Sequence, residues 1–164
     1  MAIRNPHALR ALLPQGQRLI GLDLGAKTIG VAISDPGLTL ASPVDTIRRT
    51  KFTEDVRELA RLIRGLEVGG FIVGLPINMD GTQGPRCQSV RHFAENLVGR
   101  ADLLGYEPEI AFWDERLSTA VVQRLLINEV DMRRNKRALA VDKMAAAYIL
   151  QGALDALATN PRPG

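Results

Sequence analysis

The sequence predicts an α/β fold: a mixed five-stranded sheet, three antiparallel strands followed by two parallel ones, with helices on both faces. Three observations carry this. RLIGLDL (18–24) and TIGVAISD (28–35) are apolar, β-branched-rich runs joined only by GAK, the pattern of a β-hairpin. From Phe52 the apolar residues change to a helical period, at Phe52, Val56, Leu59, Ala60 and Ile63. GFIVGLP (70–76) and EIAFWD (109–114) then follow as strands separated by a second helical stripe, an order that calls for right-handed crossovers and parallel pairing with the first strand.

Along the chain, residues 1–17 mix Pro, Gly and Arg with a short Leu-bearing stretch and read as a flexible extension outside the core, with one helical turn. After the hairpin and a DPG turn, LTLASPVDTI (38–47) is a third strand that Pro43 confines to an edge or ends early. Thr53 is the expected N-cap of the next helix, with Glu54 and Asp55 in its first turn and Gly65 and Gly69 closing it. GFIVGLP is apolar throughout, as strands covered on both faces are. Beyond the INMDGTQGP loop, Val90, Phe93, Ala94, Leu97, Ala101 and Leu104 form one stripe ended by Gly105. Past EIAFWD, Ser118 or Thr119 can cap a helix through AVVQRLLINEV; the polar DMRRNKRA reads as a loop before a last helix, VDKMAAAYILQGALDAL. Residues 18–158 are thus expected to form a single domain, with 159–164 as a tail.

Composition narrows the function classes. With 164 residues, 46% hydrophobic and 24% charged, the chain has the make-up of a globular domain rather than a disordered or fibrous one. A domain of this length buries roughly 70% of the surface its unfolded chain exposes. The net charge of +3 permits a polyanionic partner without requiring one. One cysteine, Cys87, excludes an internal disulfide and leaves too few thiols for a zinc ribbon, so it reads as inert packing in a reducing compartment. No signal-peptide pattern or membrane-length apolar run is present, and the expectation is a soluble, cytoplasmic protein with no membrane partner.

A carboxylate inside an apolar strand needs a reason, because burying an unpaired charge is costly. Asp23 lies late in the first strand, and Glu115 directly follows EIAFWD. Ligands of open α/β sheets collect beyond the carboxyl ends of the parallel strands, where both residues fall. Asp142 shares its helical face with Ala145, Ala146 and Ile149, a stripe that packs inward. Three carboxylates brought together raise one another's pKa unless a cation intervenes, and an oxygen-only set fits Mg²⁺ or Mn²⁺, one or two ions, rather than zinc. Plain structural roles also exist. Asp142 suits a helix dipole, Glu115 a solvated loop in a local DER ion pair; Asp23 has the weakest alternative.

GLDLGAKTIGVAISD, FIVGLPINMDGTQGPR, WDERLST and VDKMAAAYILQ, in this order and spacing, resemble the YqgF family, also called RuvX, a pre-16S rRNA nuclease or Holliday junction resolvase family. The likeness runs from Arg18 to about Leu157. It implies an RNase H-like fold, a metal held by Asp23, Glu115 and Asp142, and metal-dependent hydrolysis of nucleic-acid phosphodiesters, most naturally in 5′-end maturation of pre-16S rRNA. Structured RNA or a ribosomal particle is then the expected partner, a DNA junction less so, for a monomer or weak homodimer. Two departures stand out: Lys27-Thr28 occupies a place where a second basic residue is common, and Cys87 replaces the usual Ala.

Basic residues supply candidate nucleic-acid contacts: Lys27 in the hairpin, Arg116 beside Glu115, Arg133, Arg134, Lys136 and Arg137 in the loop before Asp142, and Lys143 after it. A solvated charged loop is the alternative for the cluster, and a pair with Asp114 for Arg116. His7 and His92 suit surface or packing roles, Trp113 the core, and the MDGTQG loop either closes over substrate or simply connects strand to helix. DLGAKTIGVA also resembles the phosphate hairpin of the actin, Hsp70 and sugar-kinase superfamily, but the chain lacks the second domain that closes on ATP. A non-catalytic RNA-binding assembly factor is the other alternative.

Overall fold

The computed structural model describes residues 3–117 and 134–159. Strands β1 (Ile3–Arg4), β2 (Arg18–Leu24), β3 (Thr28–Ser34), β4 (Ala41–Arg48), β5 (Val68–Leu75) and β6 (Ile110–Asp114) form one sheet in the order β1-β6-β5-β2-β3-β4. β2, β3 and β4 pair antiparallel; β5 joins β2 in parallel, and β6 joins β5 in parallel. The five-stranded arrangement expected from the sequence is therefore present, with the short β1 added beside β6.

Alternation along the strands divides the core into two layers. Ile20, Leu22 and Leu24 pack with Val56 and Leu59 of α2 (Phe52–Ile63) and with Val90, Phe93 and Leu97 of α3 (Pro85–Val98). Leu19, Ala32, Ile72 and Ala111 face the opposite layer, formed mainly by Ala145, Ala146, Ile149 and Leu150 of the C-terminal helix (Arg134–Thr159). Gly21 makes the second layer possible: a Cβ there would lie 2.8 Å from Leu150 Cβ and 2.9 Å from the Ala146 carbonyl oxygen.

The edge position expected for Pro43 is observed, since β4 pairs with β3 alone and carries a register shift opposite Pro43. Other details differ from the sequence reading. The N-cap of α2 is Lys51, not Thr53; Asp55 is buried and its Oδ1 accepts the Thr50 N–H at 3.0 Å, which ties the helix to the preceding turn. The stripe ending at Gly105 is carried by two helices, α3 and α4 (Ala101–Leu104), because Arg100 leaves helical geometry at φ −124°, ψ 50°. With α4 introduced, the C-terminal helix is α5. Its described part runs from Arg134, so Arg134, Lys136 and Arg137 are helical rather than in a loop; this stretch has no Gly or Pro and is rich in helix formers. The helix expected through AVVQRLLINEV, and Arg133, lie outside the described residues.

Within the stretch read as an extension, residues 5–12 pack against the rest of the domain. Asn5 caps helix α1 (Pro6–Leu12) by accepting the Ala8 N–H at 2.8 Å, with Pro6 in the first turn. Leu9 is fully buried against Gly70, and Arg10 Nη1 donates to the Leu157 carbonyl at 2.8 Å. Leu9→Ala is expected to cost about 2–5 kcal/mol in chemical denaturation. A loss below about 0.5 kcal/mol, the size of an ordinary surface substitution, would show that α1 does not dock.

At the same end of the sheet, Asp35 organises the β3–β4 turn, accepting the N–H groups of Leu40 (3.0 Å) and Thr39 (2.7 Å) and the Thr39 hydroxyl (2.7 Å). These bonds lower its pKa from 3.8 to about 2, the Leu40 N–H contributing most. Because the folded value is the lower one, the stabilisation is complete above the ordinary value and is lost as pH falls toward 2. An NMR titration of the Asp35 carboxyl should show its midpoint near 2. A midpoint at the ordinary value would mean that the turn bonds are not made in solution.

Candidate active site

Asp23 and Glu115 come to the same edge of the sheet from opposite sides of one strand. Asp23 is the penultimate residue of β2, and β2 pairs with β5 through Gly21↔Ile72 and Leu22↔Val73, so the next step of the ladder sets Asp23 beside Gly74. On the other side Gly74 pairs with Trp113 of β6, and the chain passes into a 3₁₀ turn, Glu115–Leu117. Glu115 folds back over Gly74: a Cβ at that position would lie 2.9 Å from Glu115 Oε1 and 2.7 Å from Ile149 Cδ1. The missing side chain leaves room for the carboxylate.

Both acids are buried, Asp23 at 3% exposure and Glu115 at 5%. Asp23 shares the α5 face with Gly21 and Leu19 by strand alternation. The C-terminal turns of α5 lie near α1, where Arg10 holds the Leu157 carbonyl, and its earlier turns run toward the carboxyl ends of β2 and β5. Asp142 is in α5, one turn before Ala146, and its side chain lies outside the described residues. Among the described residues no group of three His, Cys, Asp or Glu is placed to hold a metal, so the structure brings together Asp23 and Glu115 and carries Asp142 only as a backbone position.

Arg116 occupies the local role that the sequence left open. Its Nε and Nη2 donate to Asp114 Oδ2 at 3.0 and 2.7 Å, Nε also reaches Oδ1 at 3.1 Å, and its own N–H donates to Asp114 Oδ1 at 2.9 Å. Arg116 thereby holds the Asp114 carboxyl below its usual pKa. Arg116 Nη1 also donates to the Asn78 carbonyl at 3.4 Å, joining the 3₁₀ turn to the MDGTQG loop. That loop is bonded to itself, Thr82 donating to Asp80 and Asn78 to Thr82, with Gly81 at φ +89°. Lys27 is exposed at the hairpin tip, and Lys143 is half-buried in α5; the side chains of Arg134, Lys136 and Arg137 lie outside the described residues.

The remaining sequence candidates behave as packing or surface residues. Cys87 is fully buried in the α3 layer, and burial raises its thiol pKa. Trp113 packs on the α5 layer, while His7 and His92 are exposed. Sequence reasoning missed Gly74, whose place inside the apolar strand FIVGL was the available signal, since an interior strand glycine often marks a close approach.

The mixed sheet in this strand order, with helices on both faces, is an RNase H-like fold. The structure of RuvC from T. thermophilus in complex with Holliday junction substrate shares the fold, with a TM-score of 0.51 at 12% identity over 87% of this chain and 96% of that one. A sequence model of the RuvX family, described as Holliday junction resolvase, matches residues 17–156, and the chain belongs to that family. A relative from Rhodospirillum centenum, named "Putative pre-16S rRNA nuclease", is 66% identical over 96% of this chain and 83% of its own. One of the same name from Paramagnetospirillum magneticum is 57% identical over 94% and 96%. No helix among the described residues is long and apolar enough to cross a membrane.

Proposed function

We propose that this protein is a metal-dependent nuclease that hydrolyses phosphodiester bonds of structured RNA in the maturation of the 5′ end of pre-16S rRNA, in the cytoplasm. The observation that carries the reading is the pair of buried carboxylates, Asp23 and Glu115, flanking Gly74 at the carboxyl edge of the parallel strands. Family membership and the relatives' names support nuclease chemistry.

The donor set fits a hard divalent ion. Among the described residues, the acidic oxygens of Asp23 and Glu115 are the donors at hand on the α5 face, with Cys87 in the opposite layer and both histidines exposed. Asp23, Glu115 and Asp142 would hold one or two Mg²⁺ or Mn²⁺ ions. Such ions, when bound, activate water and stabilise the leaving oxygen. Lys27, Lys143 and the cations opening α5 bind flanking phosphates, while Arg116 braces Asp114 and the MDGTQG loop beside Glu115.

The family's description favours a second reading, resolution of a four-way DNA junction. That reaction needs a symmetric dimer presenting two sites, whereas RNA trimming needs only a monomer or weak homodimer. The test is to offer purified protein both a structured precursor-rRNA fragment and a four-way DNA junction with Mg²⁺ or Mn²⁺, beside Asp23→Asn. Preferential RNA cleavage, lost in the variant, is expected. Preferential junction cleavage would transfer the conclusion to the second reading, and equal cleavage by both proteins would assign the activity to a contaminant.

A further inference from the structure

A pocket of about 150 Å³ opens beside the β2–β3 connection, on the α3 side of the same sheet edge. Leu24, the residue after Asp23, begins its wall, and Gly25 and Ala26 continue it. Arg49 enters from just beyond β4, and Arg86 and Ser89 from the start of α3; among the described residues no acidic one lines the cavity.

Arg49 is oriented by the protein itself. Its Nη1 donates to the Gly25 carbonyl at 2.6 Å, and its guanidinium lies 5.6 Å from the centre of the Phe93 ring, which in turn meets Phe52 edge-on. A guanidinium carries five N–H donors, so this bond leaves others for a ligand. Arg61, Arg100 and Arg116 are each paired with a carboxylate, whereas among the described residues Arg49 and Arg86 have no acidic partner.

We infer that this pocket binds a backbone phosphate of the substrate strand, adjacent to the phosphate at Asp23 and Glu115, with Arg49, Arg86 and the Ser89 hydroxyl as donors. The inference rests on the nuclease reading for its location and on the pocket's own residues for its chemistry. Two forked guanidiniums and a hydroxyl around a small cavity match a phosphate, which accepts several charge-assisted hydrogen bonds at once. Asp23 and Gly25, which lines the pocket, are two residues apart, about 7 Å of protein strand, so a substrate strand passing over the carboxyl end of β2 meets both. Arg49 therefore sets the direction in which the strand leaves the site.

The test measures binding of a structured precursor-rRNA fragment in the Asp23→Asn background, where cleavage does not interfere. Arg86→Ala is expected to weaken binding about tenfold and to reduce the slope of log K against log salt by about 0.7 to 0.9, one phosphate contact. Arg49→Lys should weaken it similarly, and Arg100→Ala should change nothing. With Asp23 present, Arg86→Ala should raise KM and leave kcat within twofold. A single methylphosphonate at the contacted position should weaken binding to the protein with Arg86 intact and have no further effect on Arg86→Ala, a result that a merely structural role would not produce.

Affinities within twofold for both arginine variants, with an unchanged salt slope, would overturn the pocket even if cleavage is observed. Absence of cleavage on every substrate, with the Arg86-dependent salt slope retained, would end the nuclease reading and leave the phosphate pocket standing.

Discussion

Asp23→Asn is expected to lower single-turnover cleavage by about a thousandfold, or roughly 4 kcal/mol of transition-state stabilisation, with RNA affinity within about twofold of wild type. The substitution keeps size and shape, and it removes one negative oxygen from a position 3% exposed at the end of β2. A site that works by holding a divalent ion would lose a ligand, while Lys27 and the other cations proposed to contact phosphates would be untouched. Glu115→Gln should behave alike. Cleavage within tenfold of wild type in either variant would show that these carboxylates do not carry the chemistry, whatever the fold resembles.

Gly74→Ala is the second large effect, and it acts through a neighbour. The added methyl would sit 2.9 Å from Glu115 Oε1, 3.1 Å from Glu115 Cγ and 2.7 Å from Ile149 Cδ1. Ile149 meets it with the far end of its side chain, and Glu115 is displaced from the strand surface. A misplacement of about 1 Å costs on the order of a hundredfold in rate, and overpacking costs about 1–3 kcal/mol in stability. The expected signature is a hundredfold slower reaction together with a raised Mg²⁺ requirement. Gly21→Ala provides the contrast, because its methyl meets Leu150 Cβ and the Ala146 carbonyl oxygen rather than an acid. It should lower stability by a similar amount while leaving the Mg²⁺ requirement as it was. An unchanged rate and Mg²⁺ midpoint in Gly74→Ala would show that Glu115 does not depend on the space above Gly74.

Legibility in the sequence followed the range of the interaction. The hairpin of β2 and β3, the edge placement of Pro43 and the buried stripe of Val90, Phe93, Ala94 and Leu97 are written in periods of two and about 3.6 residues, which need no knowledge of distant partners. The misplaced N-cap had a different origin: Thr53 offered the right chemistry two residues too late, and a bond from the Thr50 N–H to the Asp55 carboxylate replaced it. NPHALRAL, with Asn as cap and Pro in the first turn, did carry a helix signal, but nothing local says that Leu9 meets Gly70.

By itself, then, the sequence determined the order and kind of the main elements, the two-layer core and the unusual placement of Asp23, because apolar periodicity and the cost of a strand carboxylate are local properties of the chain. Only the tertiary structure decided that residues 3–12 complete the sheet and its α5 layer, that Gly74 makes room for Glu115, and that Arg49 and Arg86 share a pocket. Each of these depends on groups tens of residues apart, Arg10 and Leu157 being separated by 147, and their meeting is set by how the layers close rather than by any local preference.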